Sequence, residues 1–429
     1  AQCGGGGEFA FFYSPATTVA GSTRMVTYFQ GGGMTFQESN GDFYTLANNL
    51  GGLKLLTTAP ASANLATGIF MDRHPENEAF IGEAHWLFYP YCTQDFHAGR
   101  KSGPTTYDLM GTAFETEVET LLGEGQTPAA IEANFPGLDI VSVVGTDVTA
   151  LTYSILHRGY LNFVASLGPL NDALEAAWPG VDVTDFLVSG GSAGSFGAIL
   201  DFQLFGDLVW AFSPTEPLTL APEGGFPMER RYNPATDALE EDPAFVDFLA
   251  AAFDSWDLIL PCEIAGGAHV PSPTDRCTDI LDLLDHYLAR WPGLDIRYGI
   301  THDKEDPVIR GAFPWPGTPE DSTLDFCRTV HRYGQRMAER DLNAPWMHWQ
   351  GTHVSGQAWF LTAMRSPSGA VAPSPYNLLG FLNGLAARSF SGSPVHIEHV
   401  FNTVDQPTNP DSAVTADPTH LPECNVPVP

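Results

Sequence analysis

Short β-branched or aromatic runs that stop at glycine alternate along this chain with longer stretches whose apolar residues recur at helical spacing. Residues 24–30, "RMVTYFQ", run into "GGG" and predict a strand ended by a glycine loop. Residues 85–92, "HWLFYPYC", predict a second strand. The stretches "TTYDLMGTAFETEVETLLGEG" and "ILHRGYLNFVASLGPLNDALEAAW" read as helices. A strand over 183–189 leads into "GGSAG" and a helix from about residue 193, and "LVWAFS" predicts a further short strand. Residues 214–275 are richer in Pro, Gly and acids, so loops and the helix "PAFVDFLAAAFDSW" are expected there, inserted over the sheet's edge. Beyond lie a helix over 278–290, a strand "DIRYGIT", a long helix near 320–341, a strand "WMHWQ" and a helix around 376–389. Strands alternating with helices imply an α/β domain, a mostly parallel sheet flanked by helices, over residues 1–390. Residues 391–429 read as an irregular surface tail packed on it.

Composition narrows the class. With 43% hydrophobic and 12% aromatic residues the 429-residue chain reads as globular, and no apolar run approaches the ~20 residues of a membrane span. Nineteen Lys+Arg face 51 Asp+Glu, a net charge of -32, and the lysines are Lys54, Lys101 and Lys304. Such a surface repels nucleic acid and favours neutral over polyanionic substrates, although salt adaptation accounts for the acidity equally well. Six cysteines without metal-ligand spacing suit three disulfides in an oxidising compartment, so an exported, mature chain is expected. "AQCGGGG" also reads as a lipid-anchored cysteine with a flexible tether, but two residues precede Cys3.

Gly190, Ser192 and Gly194 form G-x-S-x-G between a predicted strand and a predicted helix, the setting of a nucleophile elbow. A serine alcohol needs a histidine to take its proton and a carboxylate to orient that histidine, and in this fold they follow in the order Ser, acid, His. Asp303 is the first carboxylate after "DIRYGIT", with Asp306 behind it. His353 lies in the glycine turn after "WMHWQ", whereas His348 lies inside the strand. Residues 31–33 supply a glycine loop whose amides can face a developing oxyanion, with the N–H of Ala193 as a second donor.

Taken together, "CGGGGEFAFF", "YFQGGGMTF", "GIFMDRHPENEAF", "HWLFYPYCTQDFHAG", "HRGYLNF", "SGGSAGSFGAIL", "RYGITHD" and "GTHVSGQ" resemble the pectinacetylesterase and Notum family of α/β-hydrolase-like serine esterases over roughly residues 3–390. The resemblance puts the family's nucleophile on Ser192, its acid on Asp303, its histidine on His353 and its oxyanion donors on Gly32, Gly33 and Ala193. It also implies a Cys3–Cys92 disulfide. Cys262 with Cys277 is then expected as a loop staple, and Cys327 with Cys424 remains, pinning the tail to the long helix. Family members usually carry a cysteine after the triple glycine. Here Met34, Thr35 and Phe36 follow, so one family disulfide is missing and a looser loop is expected.

Phe313 and Trp315 follow the proposed acid and suggest an aromatic wall for a sugar or aryl ring, or a loop folded on the core. Asp95 and His97 suit structural hydrogen bonding better than lining a cleft. His396 and His399 lack a third metal ligand, and the expected mechanism uses no metal or cofactor. The resulting expectation is an exported serine carboxylesterase with 214–275 shaping its pockets. The alternatives are a polyester or aryl-ester hydrolase, or a non-catalytic carbohydrate- or surface-binding protein; the oligomeric state is left open.

Overall fold

A computed structural model describes residues 1–38, 40–57, 83–212, 217–258, 260–264, 277–303, 306–317, 319–338, 346–349 and 396–398. The strands, in chain order, are β1 (Phe12–Ser14), β2 (Arg24–Phe29), β3 (Thr35–Gln37), β4 (Phe43–Thr45), β5 (His85–Tyr89), β6 (Thr105–Asp108), β7 (Leu138–Val144), β8 (Asp147–Ile155), β9 (Asp185–Gly191) and β10 (Pro217–Glu223). They continue with β11 (Arg230–Asn233), β12 (Ala238–Glu241), β13 (Asp295–Tyr298), β14 (Ile300–Asp303), β15 (Trp346–Trp349) and β16 (His396–Glu398).

The central sheet runs β1-β5-β2-β9-β10-β14-β15-β16, with β13 also paired to β10. Its pairings are parallel except for β1 against β5. The middle strands are buried along nearly their whole length, as parallel strands covered on both faces must be, which is why β2 and β9 read as near-continuous apolar runs. From β2 the chain passes to β5 on one side and later returns to β9 on the other. That reversal is a topological switch point between β2 and β9, and ligands of open α/β sheets usually bind outside the carboxyl ends of the strands at such a point.

Helix Ala193–Leu200 packs on β2, β9 and β10 and is buried throughout. Phe29, Tyr89, Phe163, Phe196 and Trp256 belong to the main core around it. A smaller antiparallel sheet, β6-β8-β7, packs with helices Ala113–Gly123 and Pro128–Asn134 around Leu109, Phe114, Val118, Ile131, Leu151 and Tyr153. Cys3–Cys92 and Cys262–Cys277 are disulfides as expected, and Cys327 is also disulfide-bonded; Cys424 lies outside the described residues. Among the described residues no helix is long and apolar enough to cross a membrane.

Several elements depart from expectation. "LVWAF" ends helix Phe202–Phe212, and the strand after the elbow is β10, so the chain leaves the central sheet only beyond Glu223, not from residue 214. An apolar run of this length suits either element, and Pro217 and Pro222 disguise β10; they are tolerated because they lie at its start and near its end. Residues 105–108, which open the stretch read as a helix, form β6 instead, and the helix begins only at Ala113; the β7–β8 hairpin is a further element that the apolar pattern does not predict. In the expected irregular tail, His396–Glu398 forms β16 alongside β15. The helix expected around 376–389 lies outside the described residues.

Candidate active site

β9 ends at Gly191, and Ser192 turns the chain into helix Ala193–Leu200 with φ 56° and ψ −124°. A non-glycine residue there carries about 1–3 kcal/mol of strain, which the surroundings must hold in place. The Ser192 N–H donates to Glu223 O at 2.9 Å, and the Ser195 N–H donates to Ser192 O at 2.9 Å. The flanking glycines have steric reasons: a Cβ on Gly190 would lie 2.1 Å from Gly194 O, and one on Gly194 would lie 2.0 Å from Phe29 O. G-x-S-x-G is thus the pattern that lets β9, β2 and the helix start close around one serine.

The glycine loop after β2 meets this elbow directly. A Cβ on Gly31 would lie 2.3 Å from Gly191 O and 2.7 Å from Ser192 Cβ. Gly33 has φ +79°, and Gly31, Gly32 and Gly33 are all partly exposed. Ala193, the first residue of the helix, is buried behind Ser192, and the positive end of the helix dipole favours negative charge nearby. Two loops from adjacent strands therefore bring a strained serine, a glycine-rich backbone and a helix start to one spot. A search of solved structures finds the same architecture in two crystal forms of the Wnt deacylase Notum from Drosophila. Each has a TM-score of 0.54 and 15% identity, over 95% of this chain and 96% of the other.

The fold is that of Notum.

No protein-family model and no curated protein matches the chain. At this identity the likeness establishes the Notum-like α/β-hydrolase fold. Within it Asp303 is the last residue of β14, paired in register with Trp349, at the same sheet edge as Ser192; only its backbone is described. His353 follows β15 by four positions and lies outside the described residues. Asp306, behind Asp303, is buried and caps helix Pro307–Ala312 by accepting from the N–H groups of Val308 and Ile309.

Phe313 is 4% exposed and packs on Phe245 and Phe248, so it contributes to the core. Trp315 keeps more exposure while resting edge-on against Phe245 and Phe326. Asp95 and His97 are buried hydrogen-bonding residues. Burial pushes the Asp95 carboxyl up to about 6 against the bonds it accepts, and pulls the His97 imidazole down to about 4 against its bond to Gln30 O. His396 sits on β16, and His399 lies outside the described residues. No group of three His, Cys, Asp or Glu among the described residues could hold a metal ion.

Glu223 is a residue the sequence reading missed. It is buried at the end of β10, in register with Gly191 on one side and Thr301 on the other, and its carbonyl holds the Ser192 N–H. An acidic residue closing an apolar run just before Gly-Gly was the available signal.

Proposed function

We propose that this chain is an exported serine ester hydrolase of pectinacetylesterase type, with Ser192, His353 and Asp303 as its triad. The observation that carries the reading is the strained Ser192 elbow with the Gly31–Gly33 loop seated against it at the carboxyl ends of β9 and β2. Ser192 Oγ attacks the ester carbonyl carbon while His353 takes the hydroxyl proton, and Asp303 holds the histidine in the right tautomer. The carbonyl oxygen gains negative charge, which the N–H groups of Gly32, Gly33 and Ala193 stabilise. Collapse breaks the bond to the alcohol, which leaves with the proton from His353. Water, deprotonated by the same histidine, then releases the acid and restores the serine.

The fold shared with a Wnt deacylase and the sequence resemblance to pectinacetylesterases both support acyl-ester cleavage. Disulfides support an oxidising compartment. A net charge of -32 favours acetyl groups on a neutral polysaccharide over a polyanionic one. Ser192→Ala should reduce p-nitrophenyl butyrate hydrolysis by at least ~1,000-fold while leaving the circular dichroism spectrum unchanged. Wild-type protein with no activity on p-nitrophenyl esters, acetylated xylan or polyester films would instead support a binding protein on this scaffold.

A further inference from the structure

The segment from Tyr89 to Gly99 contributes nothing to the proposed triad, yet it touches both sides of the proposed oxyanion hole. Of the seven non-glycine residues described with positive φ, Gln94 (54°), Phe96 (54°) and His97 (61°) lie in one four-residue span, and Ser192 is another. Strain of this kind persists only where the surroundings over-determine it. Here they do. Asp95 accepts from Thr93 Oγ1 at 2.6 Å and from the Gly159 N–H at 2.8 Å, and its own carbonyl accepts from the Ala98 N–H at 2.9 Å. The Phe96 N–H donates to the Tyr91 hydroxyl at 3.0 Å. A Cβ on Gly99 would lie 2.2 Å from Asp95 Oδ2, and one on Gly159 2.3 Å from the His97 backbone, so the loop closes tightly on both glycines.

This closed loop holds both ends of the glycine loop. Gln30, just before Gly31, donates its N–H to Tyr89 O at 3.0 Å, accepts the Tyr91 N–H on its side chain at 3.1 Å, and accepts His97 Nε2 on its carbonyl at 2.8 Å. At the other end the Thr35 N–H donates to Gln94 O at 3.1 Å, and the Thr35 hydroxyl bonds the Gln94 side chain. These bonds stand where the resemblance left a missing disulfide and a looser loop was expected. On its other side the segment grips the nucleophile helix: the Phe96 ring stacks on Phe196 at 4.1 Å, and a Cβ on Gly197 would lie 2.9 Å from His97 Cβ.

Because a carbonyl oxygen only accepts, the bond to Gln30 requires a proton on His97 Nε2. We propose that His97 is a positioning residue of the oxyanion hole. Its Nε2–H fixes the Gln30–Gly31 peptide plane, and so aims the amides of Gly32 and Gly33 at the ester oxygen next to Ser192. The role rests on the esterase reading above. It acts through geometry, and misplacement of catalytic groups by ~1 Å can cost ~100-fold in rate.

The test is a series at residue 97 read by steady-state kinetics on p-nitrophenyl butyrate and by inhibition with a trifluoromethyl ketone, whose serine adduct puts an oxyanion in the hole. His97→Phe keeps a ring and loses the donor, and should lower kcat on the order of 10- to 100-fold with KM within about twofold. Ketone affinity should fall in step with kcat/KM. His97→Gln, whose amide nitrogen reaches the Nε2 position, should recover most of the loss; His97→Asn, one atom shorter, should not. If the Phe variant fails to fold, the Gln and Asn pair carries the comparison. Wild-type kcat in His97→Phe, or equal losses in Gln and Asn variants, overturns the assignment. Full hydrolysis in Ser192→Ala overturns Ser192 as the nucleophile of the esterase reading, and this role with it.

Discussion

Asp201 ends the helix that Ser192 begins, buried, with its Oδ2 lacking a hydrogen-bond partner among the described residues. Burial first, and the charge of Asp95 second, push its carboxyl well above the ordinary range. The folded protein thus keeps a proton here that the unfolded chain releases above pH ~4. This group's contribution to stability is full below that value and is lost as pH rises through the folded pKa. Asp201→Asn removes the titration, so the Tm difference between variant and wild type should move in the variant's favour between pH ~4 and ~8 in calorimetry. Parallel curves would mean that Asp201 does not titrate on unfolding. At this scale the elbow was legible because Gly190 and Gly194 leave no room for a side chain, a constraint that sequence records directly. His97 was legible only as a buried hydrogen-bonding residue. Its partner is a backbone carbonyl 67 positions away, and no residue pattern encodes that.

Elements were legible where periodicity had one reading. Helix Pro243–Trp256 matches its expected span, and Gly159–Ala177 lies within the stretch 155–178 read as helix, whose first residue instead ends β8; both have apolar faces that repeat over several turns. The β7–β8 hairpin leaves little alternation in the sequence because the register shifts around Ser142, so inward and outward positions stop alternating there. The "VVGTDV" turn, with Gly145 at φ +70°, still marked it. β10 shows the opposite failure. Its apolar residues are visible in the sequence, but the longer apolar run just upstream, which ends helix Phe202–Phe212, reads more strongly as a strand and masks β10 and Glu223.

Across the whole molecule, the acids repel one another far more than the fold relieves. Ion pairs such as Arg230 with Asp279 and Asp282, and Arg290 with Asp207, neutralise acids locally, but 19 bases cannot offset 51 acids. Salt shortens the screening length from ~10 Å at 0.1 M to ~3 Å at 1 M, so Tm should rise across that range by several degrees. A flat or falling Tm would indicate that mutual repulsion of the acids does not limit stability. The Cys3–Cys92 bond has a different reach. It closes 89 positions of chain, and its second cysteine adjoins Thr93, the residue that anchors Asp95 and thereby the strained loop beneath the glycine amides. On the proposed esterase reading, a reduced chain should form the same sheet yet hold the Gly31–Gly33 backbone slackly, and should cleave esters poorly until Cys3 and Cys92 pair. Under dithiothreitol, ester turnover should decline ahead of the helical signal, whereas a common time course would reduce the bridge to a staple of the fold.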